Sequence, residues 1–244
     1  MRRSKLIIGL VSLFVVIAVA ATAYIYDEHL TATPADGDES AAVYSPSGPV
    51  GVPDREPRPV TIIGDSYSRG SATGGPEGNW TRLMARSMYA DERPVLLSIA
   101  AEAEAGYVEA TGAGQDFVSM VDGLADSDTE LVIAMGSRND IPLDPSIRAR
   151  AFVEKVREES PNARVLLVGT FCGPLDDCAS FQRYNDQLSA VALSVGAEFV
   201  DPIAENWFQG TDRGLIGVDN VHPTNAGYQY IADKLHDRVS ALLP

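Results

Sequence analysis

Five short apolar runs punctuate the chain after residue 58: Val60–Gly64, Pro94–Ala100, Glu130–Gly136, Arg164–Thr170 and Glu198–Val200. Each is bounded by turn residues and apolar along most of its length. Such runs suit parallel strands buried on both faces. The spacing between and after them predicts helices over Asn79–Tyr89, Gln115–Leu124, Ser146–Glu159, Ser180–Val195 and Asn225–Leu243. In the fourth, Phe181, Tyr184, Leu188, Val191 and Val195 recur on one face of a 3.6-residue period; in the last, Ile231, Leu235, Val239 and Leu242 do so. Strand and helix alternating five times predict an α/β fold, a parallel sheet with helices on both faces.

The first 58 residues have a different pattern. Arg2, Arg3 and Lys5 precede Leu6–Tyr26, a run of 21 residues without a charge. That length crosses a bilayer, and the basic flank is expected to stay in the cytoplasm. Residues 1–26 are therefore read as an N-terminal transmembrane anchor, or as a signal peptide cut near Ala21-Thr22-Ala23. Either reading exports the rest of the chain. Residues 27–58 are rich in Pro, Gly, Ser, Ala and acidic side chains and have no sustained apolar period. They read as a flexible linker, a coil of about 31 residues with an r.m.s. reach of ~30 Å. Residues 59–244 form the expected folded domain, long enough for one full core.

Composition narrows the partners. The formal net charge is −15, and three of the positive charges precede the apolar run. Charge will not draw such a domain to nucleic acid or to anionic lipid. Small neutral or weakly polar substrates fit better, and membrane contact is expected through the N-terminal segment only. Two cysteines and three histidines, with no HExxH and no paired CxxC, give no recognisable zinc-ligand spacing. Cys172 and Cys178 follow the fourth run, and in an exported domain a pair this close is expected to form a disulfide. The sequence carries no sign of oligomeric state.

The candidate chemistry begins where the first run ends, at Gly64-Asp65-Ser66-Tyr67-Ser68. A strand that stops at a glycine turn lifts the next side chain to the carboxyl edge of the sheet, where ligands collect in open α/β folds. Ser66 is the candidate nucleophile there, with Asp65 expected to brace the turn. A serine hydroxyl needs a base in hydrogen-bond reach and that base needs an orienting acid. The stretch Val218-Asp219-Asn220-Val221-His222-Pro223 supplies both. Pro223 biases His222 toward extended backbone, and the three-residue spacing lets the Asp219 carboxylate fold back onto one ring nitrogen. Acyl transfer also needs oxyanion donors. The candidates are the Ser66 N–H at a helix start, the N–H of Gly106 after the second run, and the Asn139 amide in Gly136-Ser137-Arg138-Asn139-Asp140 after the third. Gly112 and Gly114 compete with Gly106.

In this order the blocks resemble those of the SGNH hydrolases, also called the GDSL esterase/lipase family, over roughly Pro59 to Pro244. The resemblance implies a three-layer α/β/α sandwich around a five-stranded parallel sheet, a flavodoxin-like arrangement, and a chemistry without cofactor. Carried over, Ser66, His222 and Asp219 become the catalytic triad, with Ser66, Gly106 and Asn139 as the oxyanion hole. Tyr67 replaces the leucine of the name motif, and the block before Gly106 departs from the family pattern. The G-x-S-x-G elbow of α/β-hydrolases is absent. Tyr67, Tyr107 and Arg138 are candidates to line the pocket. The expected activity is an exported serine esterase acting on small-molecule, lipid or glycan esters. The alternatives are an O-acyltransferase acting on envelope glycans with the same nucleophile, and an anchored binding module without activity.

Overall fold

The computed structural model describes residues 42–43, 55–70, 75–208 and 214–243. The expected membrane segment and most of the expected linker lie outside them. Among the described residues no helix is long and apolar enough to cross a membrane.

Five parallel strands form the sheet: β2 (Arg58–Gly64), β3 (Val95–Ala101), β4 (Leu131–Met135), β5 (Arg164–Val168) and β6 (Glu198–Val200), in the order β3-β2-β4-β5-β6. Each apolar run became one strand. A two-residue strand, β1 (Ala42–Val43), adds antiparallel to the outer edge of β3, opposite Leu96 and Leu97. It falls inside the stretch read as a featureless linker. The unpaired backbone groups of an edge strand take such a partner whatever its side chains.

Burial on both faces shows in the alternation along each strand. Val60 and Ile62, Leu131 and Ile133, and Leu166 and Val168 enter one core; Ile63, Val132, Ala134, Val165 and Leu167 enter the other. Helices α2 (Trp80–Ala90) and α5 (Asn225–Leu242) close the first core with Trp80, Met84, Ile231 and Leu235. On the second face α3 (Ser146–Glu159) and α4 (Cys178–Val195) contribute Phe152, Val153, Tyr184 and Leu188. This is the three-layer α/β/α sandwich with a five-stranded parallel sheet.

One predicted helix is absent. Gln115–Leu124 contains only the 3₁₀ turn Ser119–Val121. Its apolar residues Phe117, Met120 and Val121 are buried, as the period implied. Gly114 (φ 82°) and Gly123 (φ 72°) stand left-handed on either side, leaving too few residues for a stable α-helix.

The strand order positions the site. The chain leaves β2 for β3 on one side and then crosses to β4 on the other. Loops diverge at the carboxyl ends of β2 and β4 and open a crevice there, the switch point of a doubly wound sheet. Gly64 pairs with Met135 at that edge, so the segments beginning at Asp65 and Gly136 emerge side by side.

Candidate active site

Ser66 opens a one-turn helix, α1 (Ser66–Arg69), directly at the end of β2. Asp65 is its N-cap and accepts the Tyr67 N–H at 2.9 Å. The first N–H groups of a helix lack intrahelical acceptors, so the Ser66 N–H is oriented as a donor at the mouth of the turn. The Ser66 hydroxyl is 3.0 Å from His222 Nε2, and His222 Nδ1 is 2.8 Å from Asp219 Oδ2. Folding thus brings together side chains 156 residues apart.

The His222 turn is organised locally. Gly217 N–H donates to the His222 carbonyl at 2.7 Å, and Ile216 and Pro223 form an isolated antiparallel bridge. Asp219 Oδ1 accepts the N–H groups of Val221 (2.9 Å) and His222 (3.0 Å), leaving Oδ2 for the ring. Partial burial pushes the Asp219 carboxyl up. The Val221 N–H and the ring and N–H of His222 outweigh it, and the pKa lies below the usual carboxylate value. An ionised carboxylate only accepts. The proton therefore sits on His222 Nδ1, and Nε2 is the acceptor for the Ser66 hydroxyl.

Behind the serine the site is dry. Asp65 is fully buried, and burial pushes its pKa up to about 6 against the pull of the Tyr67 N–H, the Ser137 hydroxyl and His222. The Ser137 hydroxyl lies 3.0 Å from Asp65 Oδ2 and 2.9 Å from the Ala105 carbonyl, and it accepts the Asn139 N–H at 3.0 Å. Asn139 Nδ2 donates one proton to Ala105 O at 2.8 Å. A primary amide carries two, so the hydrogen bond to Ala105 uses only one of them. Tyr184 links this group to the next: its hydroxyl accepts the Ser137 N–H and donates to Asp140 Oδ2, both at 2.9 Å. Asp140 also gathers the N–H groups of Tyr107, Val108 and Glu109 at 2.8–3.0 Å.

Gly106 is the expected second oxyanion donor. Its N–H is spent within the loop, on the Glu109 carbonyl at 2.9 Å. Glycine is required there because a Cβ would run into the Asp140 carboxylate. As placed here, Gly106 presents no free N–H to an oxyanion. Gly112 and Gly114 do not replace it, since both sit in an exposed turn. Tyr107 also departs from expectation: it is fully buried against Phe117 and Phe152. Tyr67 and Arg138 do stand at the site. The Tyr67 ring stacks on Phe171 and meets His222 edge-on, with centroids 4.6 and 5.8 Å apart. Cys172 and Cys178 form the expected disulfide, with Cα atoms 5.4 Å apart. His236 lies on α5 and pairs with Asp91 and Asp237. Among the described residues no group of His, Cys, Asp or Glu is arranged to hold a metal ion.

Sequence reasoning missed Ser137, Asp140 and Asn79. Asn79 caps α2 and donates to the Tyr67 carbonyl at 2.7 Å. The available signal was the polar cluster Ser137–Asp140 at a strand end whose other flank is fully apolar.

Residues 62–230 match the GDSL-like Lipase/Acylhydrolase family. The chain is 36% identical over 190 residues to the GDSL lipase Rv0518 of Mycobacterium tuberculosis, covering 75% of this chain and 81% of that one. Among solved structures it resembles TesA, with a TM-score of 0.61 and 18% identity over 76% of this chain and 99% of the other. The native aryl esterase of M. smegmatis gives a TM-score of 0.59 and 20% identity, covering 76% of this chain and all of that one, 100%.

Proposed function

The chain belongs to the GDSL-like lipase/acylhydrolase family and is an ester hydrolase, and we propose that it cleaves carboxylic esters through Ser66, His222 and Asp219 by way of an acyl-enzyme. The observation that carries this reading is the unbroken row from the Ser66 hydroxyl through the His222 ring to the Asp219 carboxylate, at 3.0 and 2.8 Å.

In the proposed sequence Ser66 Oγ attacks the ester carbonyl while its proton passes to His222 Nε2. The tetrahedral oxyanion takes hydrogen bonds from the Ser66 N–H and the free proton of the Asn139 amide. Asp219 holds the ring in the tautomer that accepts at Nε2 and stabilises the imidazolium. The imidazolium then protonates the leaving alcohol, and the carbonyl re-forms as the acyl-enzyme. Water activated by His222 releases the acid and restores Ser66.

The test uses the full chain and its Ser66→Ala variant on a panel of esters of increasing acyl length, with a fluorophosphonate probe beside it. Activity is expected to fall about 10⁴-fold or more in the variant, with loss of labelling. Equal rates from the two proteins would remove Ser66 from the mechanism. Transfer of the acyl group to a saccharide acceptor in preference to water would favour the acyltransferase reading.

We also propose that the domain works outside the cytoplasm, held by residues 1–26 as an anchor or released as a secreted protein. The uncharged run behind a basic N-terminus supports this, as does the Cys172–Cys178 disulfide, a bond rare in reducing compartments. A reporter active only after export, fused behind residue 244, checks it; a silent reporter would argue against export.

A further inference from the structure

We propose that Arg138 is a positioning residue for His222, joining the nucleophile turn to the disulfide loop that packs against the His222 turn. The proposal rests on the reading of Ser66, His222 and Asp219 given above.

His222 needs such support. Its turn is held mostly by its own residues, and the Asp219 side chain is 49% exposed. A hydrogen bond from an exposed turn to a rigid serine survives only if the turn is fixed from outside. Two neighbours are placed to do so. On one side stands the Tyr67 ring, edge-on to the imidazole and backed by Phe171. The second neighbour is the loop closed by Cys172 and Cys178. That loop lies close against the turn: a Cβ on Gly173 would come within 2.9 Å of the Asn220 carbonyl oxygen.

Arg138 touches both. Nη1 donates to the Tyr67 hydroxyl at 3.2 Å. Nη2 and Nη1 reach the two oxygens of Asp176, in the disulfide loop, at 2.7 and 3.2 Å. Asp176 in turn accepts the Gly173 N–H at 2.8 Å, at the point where the loop meets the turn. The guanidinium also lies over the Phe181 ring, 5.4 Å from its centroid. The planar fork matters because one group must satisfy a carboxylate with two prongs and a phenol with one. An ammonium is a compact point charge and does not reproduce that geometry.

Arg138 also precedes Asn139, and this invites a rival role in binding an anionic substrate. The structure argues against that role. The side chains of Arg138 and Asp176 are only 20% and 13% exposed, and their charges neutralise each other.

The test measures kcat and KM for Arg138→Met, Arg138→Lys, Asp176→Asn and the Arg138→Met/Asp176→Asn double variant, on neutral and anionic esters. Unfolding is monitored alongside. Displacement of a catalytic group by about 1 Å costs on the order of 100-fold. Arg138→Met and Asp176→Asn are each expected to lower kcat by about 10- to 100-fold, with KM within about threefold for both ester classes. The double variant is expected to be no worse than the weaker single one, since both break one brace. Arg138→Lys is expected to lose activity also, and together with Asp176→Asn it carries the test if Arg138→Met does not fold. A loss confined to KM for anionic esters would overturn the proposal in favour of substrate binding. Full activity of Arg138→Lys, or additive losses in the double variant, would overturn it as well. These failures leave Ser66-dependent hydrolysis intact, whereas activity surviving Ser66→Ala would sink the catalytic reading itself.

Discussion

Two aspartates flank the same serine and live in opposite environments. Asp65, one residue before Ser66, is fully buried, and burial pushes its carboxyl up to about 6. Asp219, behind His222, is half exposed; burial raises it too, but the hydrogen bonds of its own turn win and its pKa falls below the usual value. The difference separates two tasks. An acid that orients a base must stay ionised through the reaction, and contact with water and three N–H donors keeps it so. An acid that braces a turn only needs to accept hydrogen bonds in a fixed place. Burying it costs stability, which its hydrogen bonds with the Tyr67 N–H and the Ser137 hydroxyl offset in part.

Replacing each acid by its amide separates the tasks. Asp219→Asn presents the wrong donor to His222 Nδ1 and is expected to lower kcat by about 10²- to 10⁴-fold. Asp65→Asn keeps an oxygen for the Tyr67 N–H and turns its NH₂ toward Ser137, whose hydroxyl can rotate to the Ala105 carbonyl. Its kcat is expected to fall by less than about tenfold. Equal losses in the two variants would mean that the buried carboxylate takes part in the chemistry.

Ser137→Ala strikes the buried side alone. It removes the acceptor of the partly buried Asn139 N–H and a donor of the fully buried Asp65. The expected cost is about 1–3 kcal/mol in unfolding free energy. A kcat loss of about tenfold, read from steady-state rates, should accompany it. Stability lost without any loss of rate would reduce this network to scaffolding.

A pH dependence of stability completes the comparison, and its sign distinguishes the two acids. Asp65 has a folded pKa of about 6 against 3.8 as the ordinary value, so its ionisation disfavours the fold above about pH 6. The penalty disappears as pH falls toward 3.8. The ceiling on this effect is roughly 3 kcal/mol. Urea unfolding of wild type and Asp65→Asn at pH 7.5 and pH 4 should show the variant gaining relative stability at the higher pH. Asp219 is shifted the other way: its contribution is present above pH 3.8 and is lost as pH falls further, through its depressed folded value. A relative stability of Asp65→Asn that did not change with pH would remove the contrast.

The parts legible in the sequence share a physical character. The strands were readable because burial on both faces forces continuous apolar runs, and Val60–Gly64 or Leu131–Met135 cannot be exposed without cost. Ser66, Asp219 and His222 were readable because each depends on a local backbone feature, a glycine turn or a His-Pro step. What was not legible depends on contacts across the fold. Gly106 signals only that no side chain fits; whether a substrate or the Asp140 carboxylate fills that space is decided by a segment more than 30 residues away. The helix expected over Gln115–Leu124 had the right apolar period, yet it is one 3₁₀ turn between left-handed glycines. Ser137 is an ordinary polar residue in sequence, and only the pairing of β2 with β4 places its hydroxyl on Asp65.

By itself the sequence determined the alternation of strands and helices in an α/β fold and singled out Ser66, His222 and Asp219 as candidates, because hydrophobic period, turn chemistry and proline bias are short-range properties of the chain. Tertiary structure decided which carboxylate is buried and which is half exposed, where the Gly106 N–H goes, and that one guanidinium ties the Tyr67 hydroxyl to Asp176 of the disulfide loop. Burial and long-range hydrogen bonds set those outcomes, and both come into existence only when the sheet edge is assembled.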